Sequence, residues 1–320
     1  MSRSSEADTN IYGIIPNRDA NLAALILFAI VWFFQTVLGL WYRQWWFGTA
    51  FFIASGLETA GYIGRFLSHG DPYNVDYFLV QIICLTLGPA FFMGGVYFLL
   101  AKFAMIYGNN ISRLKPMWYS YIFISCDLLS IVLQAIGGGM AASATQNGDS
   151  TTSGTHIMVA GLAVQVASMS LFIGLCVDFF FRVRKFQKQT DTSDPSSVYD
   201  EKYLPILKNR LFKPFLYAIV VCTILIYIRC IYRLAELAEG WDGYLILHEV
   251  YFLVLEALIV FLAAFSMTVL HPGFIFGRIH IPVKGLHKKN KDTDSTDYEE
   301  TKLSTYGERN QEAMVTTSLA

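Results

Sequence analysis

Residues Gln81–Lys102 read QIICLTLGPAFFMGGVYFLLAK, an apolar run with no charge before its closing lysine. A helix rises 1.5 Å per residue, and the hydrocarbon of a bilayer is about 30 Å thick, so about 20 such residues suffice to cross it. The run extends to roughly 77–107, longer than one crossing requires, which predicts tilt or an extension beyond the bilayer. Windows of the same kind lie at 21–41 and 45–66 before it, and at 118–142, 156–181, 214–238 and 245–270 after it. One window alone is also what a buried core helix looks like. Seven in succession, separated by polar breaks, predict an all-α bundle of seven transmembrane helices. No internal repeat is visible, so an inverted-repeat transporter fold is not indicated.

Composition agrees. Hydrophobic residues make up 54% of the chain and charged residues 15%, where a soluble domain carries about a quarter charged. The net charge of −1 and the scatter of basic residues into loops argue against a nucleic-acid partner. The five cysteines, Cys84, Cys126, Cys176, Cys222 and Cys230, all fall inside apolar stretches without the spacing of a disulfide framework or a CxxC metal site. They read as buried thiols acting as small hydrophobes.

Loop charge predicts the orientation. Arg43 follows the first window, Arg113 and Lys115 the third, and a cluster from Arg182 to Lys213 the fifth; the tail adds Arg278, Lys284, Lys288, Lys289 and Lys291. The intervening loops at 70–76, 143–155 and 239–244 hold no lysine or arginine. The expectation is an extracellular N-terminal segment (1–19), a seven-helix domain (20–272) and a cytosolic, largely disordered tail (273–320) open to cytosolic partners. The stretch TQNGDSTTSGT at 145–155 is expected to be a mobile outer loop. The one sequon, at Asn110, lies on the predicted cytosolic side, where it would not be glycosylated.

Ionisable residues well inside the windows carry the functional signal, because each costs about 2.5–3.5 kcal/mol at a helix centre and marks an interior or a pathway. They are Glu58 and Arg65 in the second window, Asp127 in the fourth, Arg229, Arg233 and Glu236 in the sixth, and Glu249 and Glu256 in the seventh. Gln81, Gln134 and Gln165 add neutral polar groups. Lys102 and Asp178 sit near predicted cytosolic ends, within reach of water. Helical spacing puts Glu58, Tyr62 and Arg65 on one face, Arg229, Arg233 and Glu236 on another, and Glu249 with Glu256 on a third. Three polar stripes predict one shared polar cavity, in the outer half of the bundle, with acids toward its floor. Pairing that merely locks helices together accounts for an arginine as readily as a site does. The acids outnumber the arginines, so at least two of them have no intramembrane cation; Glu58, Asp127 and Glu256 are the candidates. Such acids are protonated, hydrated or matched by a cationic ligand.

Enzyme chemistry is not indicated. The six histidines form no HxxxH or HExxH, no GxSxG elbow or P-loop is present, and the seventh window has no lysine for retinal. No metal or cofactor is expected.

The stretches ETAGYIGR (Glu58–Arg65), Gln81–Lys102, DLLSIVLQAIGGG (Asp127–Gly139), GLAVQ (Gly161–Gln165) and IRCIYRLAELAEGWDGYLILHEVYFLVLEAL (Ile228–Leu258), with IYGIIPN at Ile11–Asn17, resemble in order the fungal lipid-translocating exporter family, the RTA-like proteins. The resemblance covers roughly residues 10–280. One departure is the glutamate at 256, where the family often has an aspartate. The resemblance implies a multi-pass plasma-membrane protein linked to export of sphingoid long-chain bases and to resistance to toxic amphiphiles, with membrane lipids and amphiphilic small molecules as partners. Taken with the residues, it makes Glu58, Tyr62, Arg65, Asp127, Gln134, Gln165, Arg229, Arg233, Glu249 and Glu256 the expected substrate-binding set. The alternative is a seven-helix sensor or regulatory protein acting through its cytosolic tail.

Overall fold

In hydrocarbon a chain without sheet partners satisfies its backbone only as helix, and every regular element is helical among the described residues, 16–71, 74–107, 116–190, 209–240 and 243–276 of a computed structural model. The helices are α1 (Arg18–Tyr42), α2 (Trp45–Ser68), α3 (Val75–Tyr107), α4 (Pro116–Asn147), α5 (Thr152–Thr190) and α6 (Phe212–Ala238). The seventh is interrupted. A turn of helix, Tyr244–Leu247, stops at His248, whose extended backbone (φ −109°, ψ 93°) breaks the run. From there α7 runs over 249–269: a first turn Glu249–Phe252, a π-helical segment Leu253–Leu258 and the α-helical Ile259–Val269. A short α8, Gly273–Phe276, follows.

Six of these, α1 and α3 to α7, are long and apolar enough to cross a membrane. The second window is the exception by composition: α2 has 24 residues, yet its glycines, serines and threonines, with Glu58 and Arg65, dilute its hydropathy. Its polar groups turn inward, with Ser55, Glu58, Thr59, Arg65 and Ser68 all buried. The opposite faces of the bundle are greasy. Phe33, Leu40, Trp41, Leu128, Leu171, Phe181 and Val250 are each at least 60% exposed, a surface that suits lipid rather than water.

Neighbouring helices pack in chain order, α1 on α2, α2 on α3, α3 on α4, α4 on α5, α5 on α6 and α6 on α7. Contacts of α1 with α7 close the ring, and α3 also touches α6. With neighbours on three sides, 61% of the most apolar 18-residue stretch of α3 is buried, against 28% of that of α1, which explains why its apolar residues run all the way round. Glycines set the closest seam. A Cβ at Gly64 would meet the Tyr77 carbonyl at 2.9 Å, and one at Gly61 the Leu85 side chain at 2.6 Å, so α2 lies directly on α3.

Three ends differ from expectation. The outer loop expected at 145–155 shrinks to 148–151, because α4 continues to Asn147 and stops at Gly148 in the left-handed conformation (φ 72°). Lys102 does not reach water. It is 3% exposed, donates to Gln44 Oε1 at 2.9 Å and lies beside the Phe98 and Phe276 rings. Asp178 does lie at the surface, paired with Arg182 at 2.9 Å. The tail expected from 273 instead begins as α8, with Gly273, Ile275 and Phe276 buried; residues 1–15, Arg113, Lys115, the sequon, most of the loop after α5 and the tail from 277 fall outside the described residues.

Candidate functional site

Pro89 breaks the ladder of α3, and the site is built around that break. A proline has no N–H to offer the carbonyl four residues earlier, which here is Leu85. The Arg229 guanidinium of α6 takes its place, donating to the Leu85 oxygen at 2.6 Å. The same Nη2 contacts Glu256 Oε1 at 2.6 Å. Arg229 is completely buried and Glu256 nearly so. Glu256 lies in the π-helical segment of α7, a widened turn often found at functional sites. Two irregular backbones, one on α3 and one on α7, therefore meet at one arginine.

The widened turn also corrects the stripe expected on α7. A π turn takes in an extra residue, so Glu249 and Glu256 lose their common face. Glu256 addresses α6, while Glu249 addresses α1 and α2. There Glu249 accepts from the Asn17 backbone N–H (2.9 and 3.0 Å), from Asn21 Nδ2 (3.1 Å) and from Arg65 Nη2 (3.2 Å). The Arg65 guanidinium is also stacked 3.9 Å from the Phe252 ring centroid. Arg233 pairs along its own helix with Glu236 at 2.6 Å, and Tyr232 donates to the same carboxylate at 3.2 Å. Each of the three arginines thus has its acid.

Glu58 and Asp127 have no ion-pair partner among the described residues. Asp127 of α4 accepts one hydrogen bond, from the Tyr97 hydroxyl of α3 at 2.9 Å, and its other oxygen has no partner. Glu58 is more extreme. It is fully buried, neither carboxylate oxygen has a hydrogen-bond partner, and a Cβ on Gly88 would meet Oε1 at 2.5 Å. Glu256, Arg229 and Arg233 are its electrostatic neighbours. One turn along α2 the Tyr62 hydroxyl is also unpartnered, and its ring stacks on Phe28 of α1 at 5.3 Å.

The ten expected residues therefore form several clusters. Glu58, Tyr62, Arg229 and Glu256, with Arg233 beside them, gather where α2, α3, α6 and α7 meet. Arg65 and Glu249 tie α1, α2 and α7 at one end. Gln134 Nε2 donates to Gln165 Oε1 at 3.0 Å in the α4–α5 seam, and Asp127 belongs to the α3–α4 seam. An apolar cleft lies in the α1–α7 seam. It holds about 210 Å³ between α1 and α7 and is lined by Ala20, Ala23, Ala24, Leu27, Phe28, Leu253, Ala257, Leu258 and Phe261. Phe28 is its floor, with Tyr62 stacked behind. Glu256 leaves the unpaired set, because Arg229 holds it. Leu85, Gly88 and Tyr97 were not expected at the site. Pro89 inside an apolar run was the readable signal for the first, since it frees a carbonyl in any helix.

A family model described as RTA1 like protein matches residues 51–279. The chain is 41% identical over 305 residues to the sphingoid long-chain base transporter RSB1 of Saccharomyces cerevisiae (strain ATCC 204508 / S288c), covering 89% of this chain and 80% of the relative. Protein RTA1 of the same strain is 31% identical over 70% of this chain and 65% of its own length, and protein RTM1 of Saccharomyces cerevisiae is 28% identical over the same shares. No solved structure matches. With the family model matching more than half of the chain, from within α2 to just past α8, this multi-pass membrane chain belongs to the RTA1-like family.

Proposed function

We propose that the chain carries single-chain cationic amphiphiles, sphingoid long-chain bases foremost, across the plasma membrane, and so confers resistance to toxic amphiphiles. The observation that carries this reading is Glu58: a fully buried acid with two unpartnered oxygens, beside an arginine already held by another acid. An ammonium group brings one positive charge and three donors, which is what that carboxylate lacks. Tyr62 adds a hydroxyl to the head-group pocket. The alkyl chain takes the apolar cleft between α1 and α7, with Phe28 dividing chain from head group. Asp127 is a second acid for a head group in transit. Arg229, Arg233, Glu256, Arg65, Glu249, Gln134 and Gln165 hold the helices that shape the route. The name of the relative at 41% identity supports the substrate class.

In this reading α2 spans with the other six helices, shielded from lipid by α1 and α3. The end bearing Arg43, Arg182, Arg184, Lys185, Arg210 and Lys213 faces the cytosol, by the positive-inside rule. The N-terminus is then outside, and the tail beyond α8 is cytosolic and available to partners there.

Purified chain in vesicles, with fluorescent long-chain base added to one leaflet, tests the proposal. Wild type moves the base. Glu58→Gln slows it by about ten- to hundredfold, the worth of a charged hydrogen bond of about 1.5–3 kcal/mol, and Asp127→Asn slows it less. If both variants, present at wild-type level, move the base as the parent does, the reading is wrong. If wild type moves base in cells and none in vesicles, the protein regulates transport instead.

A further inference from the structure

We infer that Glu58 is a proton-exchange site, and that the chain releases one proton for each cationic amphiphile it takes up, as a proton-coupled antiporter. The inference rests on the reading of Glu58 as the acid that receives the head group.

Three observations lead to it. The first is dryness. Glu58 is fully buried with no donor to either oxygen, and an ionised carboxylate without partners in such a place is strongly disfavoured against its neutral form. The second is the commitment of the surrounding cations. The groups facing Glu58 are Tyr62 on its own helix, Cys84 from α3, Arg229 and Arg233 from α6, and Glu256 from α7, with Arg65 one turn beyond Tyr62. Arg229 is in contact with Glu256, Arg233 with Glu236 and Arg65 with Glu249. Among the described residues, α1 brings only the Phe28 ring behind Tyr62. The third is repulsion. Glu58, Glu256 and Glu236 share the neighbourhood of two arginines, Arg229 and Arg233, and three acids around two cations do not all stay ionised. The hydrogen bond of Arg229 to the Leu85 carbonyl fixes that arginine toward α3 and Glu256.

The empty site therefore holds Glu58 as the carboxylic acid. When an ammonium enters, the O–H bond breaks, the proton leaves to water on that side, and the carboxylate pairs with the ammonium. One positive charge leaves as one arrives, so the net charge of the cluster is unchanged. When the amphiphile departs on the other side, a proton from that side re-forms the acid before the empty carrier resets. Each cycle moves one cation one way and one proton the other, and a proton gradient alone drives net transport.

The test uses the full-length chain in vesicles at clamped membrane potential, with a lumenal pH dye. The probe is the N-trimethyl analogue of a long-chain base, which is permanently charged and has no neutral form to leak across. With the lumen one pH unit more acid than outside, the analogue is expected to become about tenfold enriched in the inner leaflet, since one pH unit is a tenfold ratio of protons. The lumen alkalinises by one proton per analogue moved. Glu58→Gln abolishes the dye response and the gradient-driven enrichment, leaving only slow uncoupled movement, and Glu58→Asp keeps the coupling at a lower rate. Movement of the analogue at equal rates with and without the gradient, with a silent dye, overturns the inference and leaves the head-group reading standing. Rejection of the analogue, while the primary base is carried without protein-dependent proton movement, overturns it likewise. Transport unaffected by Glu58→Gln overturns both. The wild-type dye response decides the question even if a variant fails to fold.

Discussion

Arg229 is the residue whose loss is worked out most directly from the geometry. Arg229→Met keeps the length of the side chain and removes two interactions, the 2.6 Å pair with Glu256 and the 2.6 Å bond to the Leu85 carbonyl. Removing one member of a buried ion pair costs about 3–5 kcal/mol, and leaving a buried carbonyl unpaired costs about 1–3 kcal/mol. The expected loss is their sum, about 4–8 kcal/mol, a large share of the about 5–15 kcal/mol that holds a protein folded. Arg229→Met with Glu256→Met removes both charges, and the loss falls to the share of the carbonyl. Pro89→Ala gives α3 an N–H for the Leu85 oxygen, so in the Arg229→Met background it recovers about 1 kcal/mol or more, while in wild type it changes little. The assay is reversible unfolding in mixed micelles, read as a double-mutant cycle between Pro89 and Arg229. An Arg229→Met protein as stable as wild type refutes the reasoning. So does a Pro89→Ala effect that is the same in both backgrounds, since the proline and the arginine would then not be coupled.

Other substitutions probe the remaining contacts. Gly88→Ala forces the Glu58 carboxylate aside, because the new Cβ meets Oε1 at 2.5 Å; transport should fall, and the shorter Glu58→Asp in the same chain should restore part of it in the vesicle assay. Tyr97→Phe removes the one donor to Asp127 and is expected to destabilise by about 1–3 kcal/mol in the same unfolding measurement. Gln134→Leu or Gln165→Leu alone leaves a buried amide unpaired, whereas the double variant should be close to neutral; equal effects of the single and double changes would count against that pair.

The run Gln81–Lys102 and its six companions foretell the helices, because the length of an apolar stretch is set by membrane thickness and read off directly. The excess of acids over arginines likewise foretells that some acids go unpaired. Of the three acids expected to lack a cation, Glu58 and Asp127 have none among the described residues, and Glu256 could not be told from them. Glu256 resembled Glu58 in sequence, and only the meeting of α6 with α7 gives it Arg229. The common face of Glu249 and Glu256 rested on an unbroken period of 3.6, and the π turn at Leu253–Leu258 removes that period without any glycine or proline to announce it. Lys102 was misplaced for a related reason. Closeness to a helix end suggests water, but Gln44 ahead of α2, Phe98 of its own helix and Phe276 of α8 cover it. The grouping of the ten residues into separate clusters was not legible, because a stripe gives the direction a side chain takes from its own helix and says nothing of which neighbour lies there.

The role of Glu58 as receiver of a positive head group is tested most directly by binding. Purified chain is titrated with a long-chain base and with its N-acetyl counterpart, which keeps the alkyl chain and loses the charge. Wild type is expected to bind the base at least about tenfold more tightly than the amide, and Glu58→Gln to remove the difference. Equal affinity of wild type for the charged and the acetylated compound would contradict it.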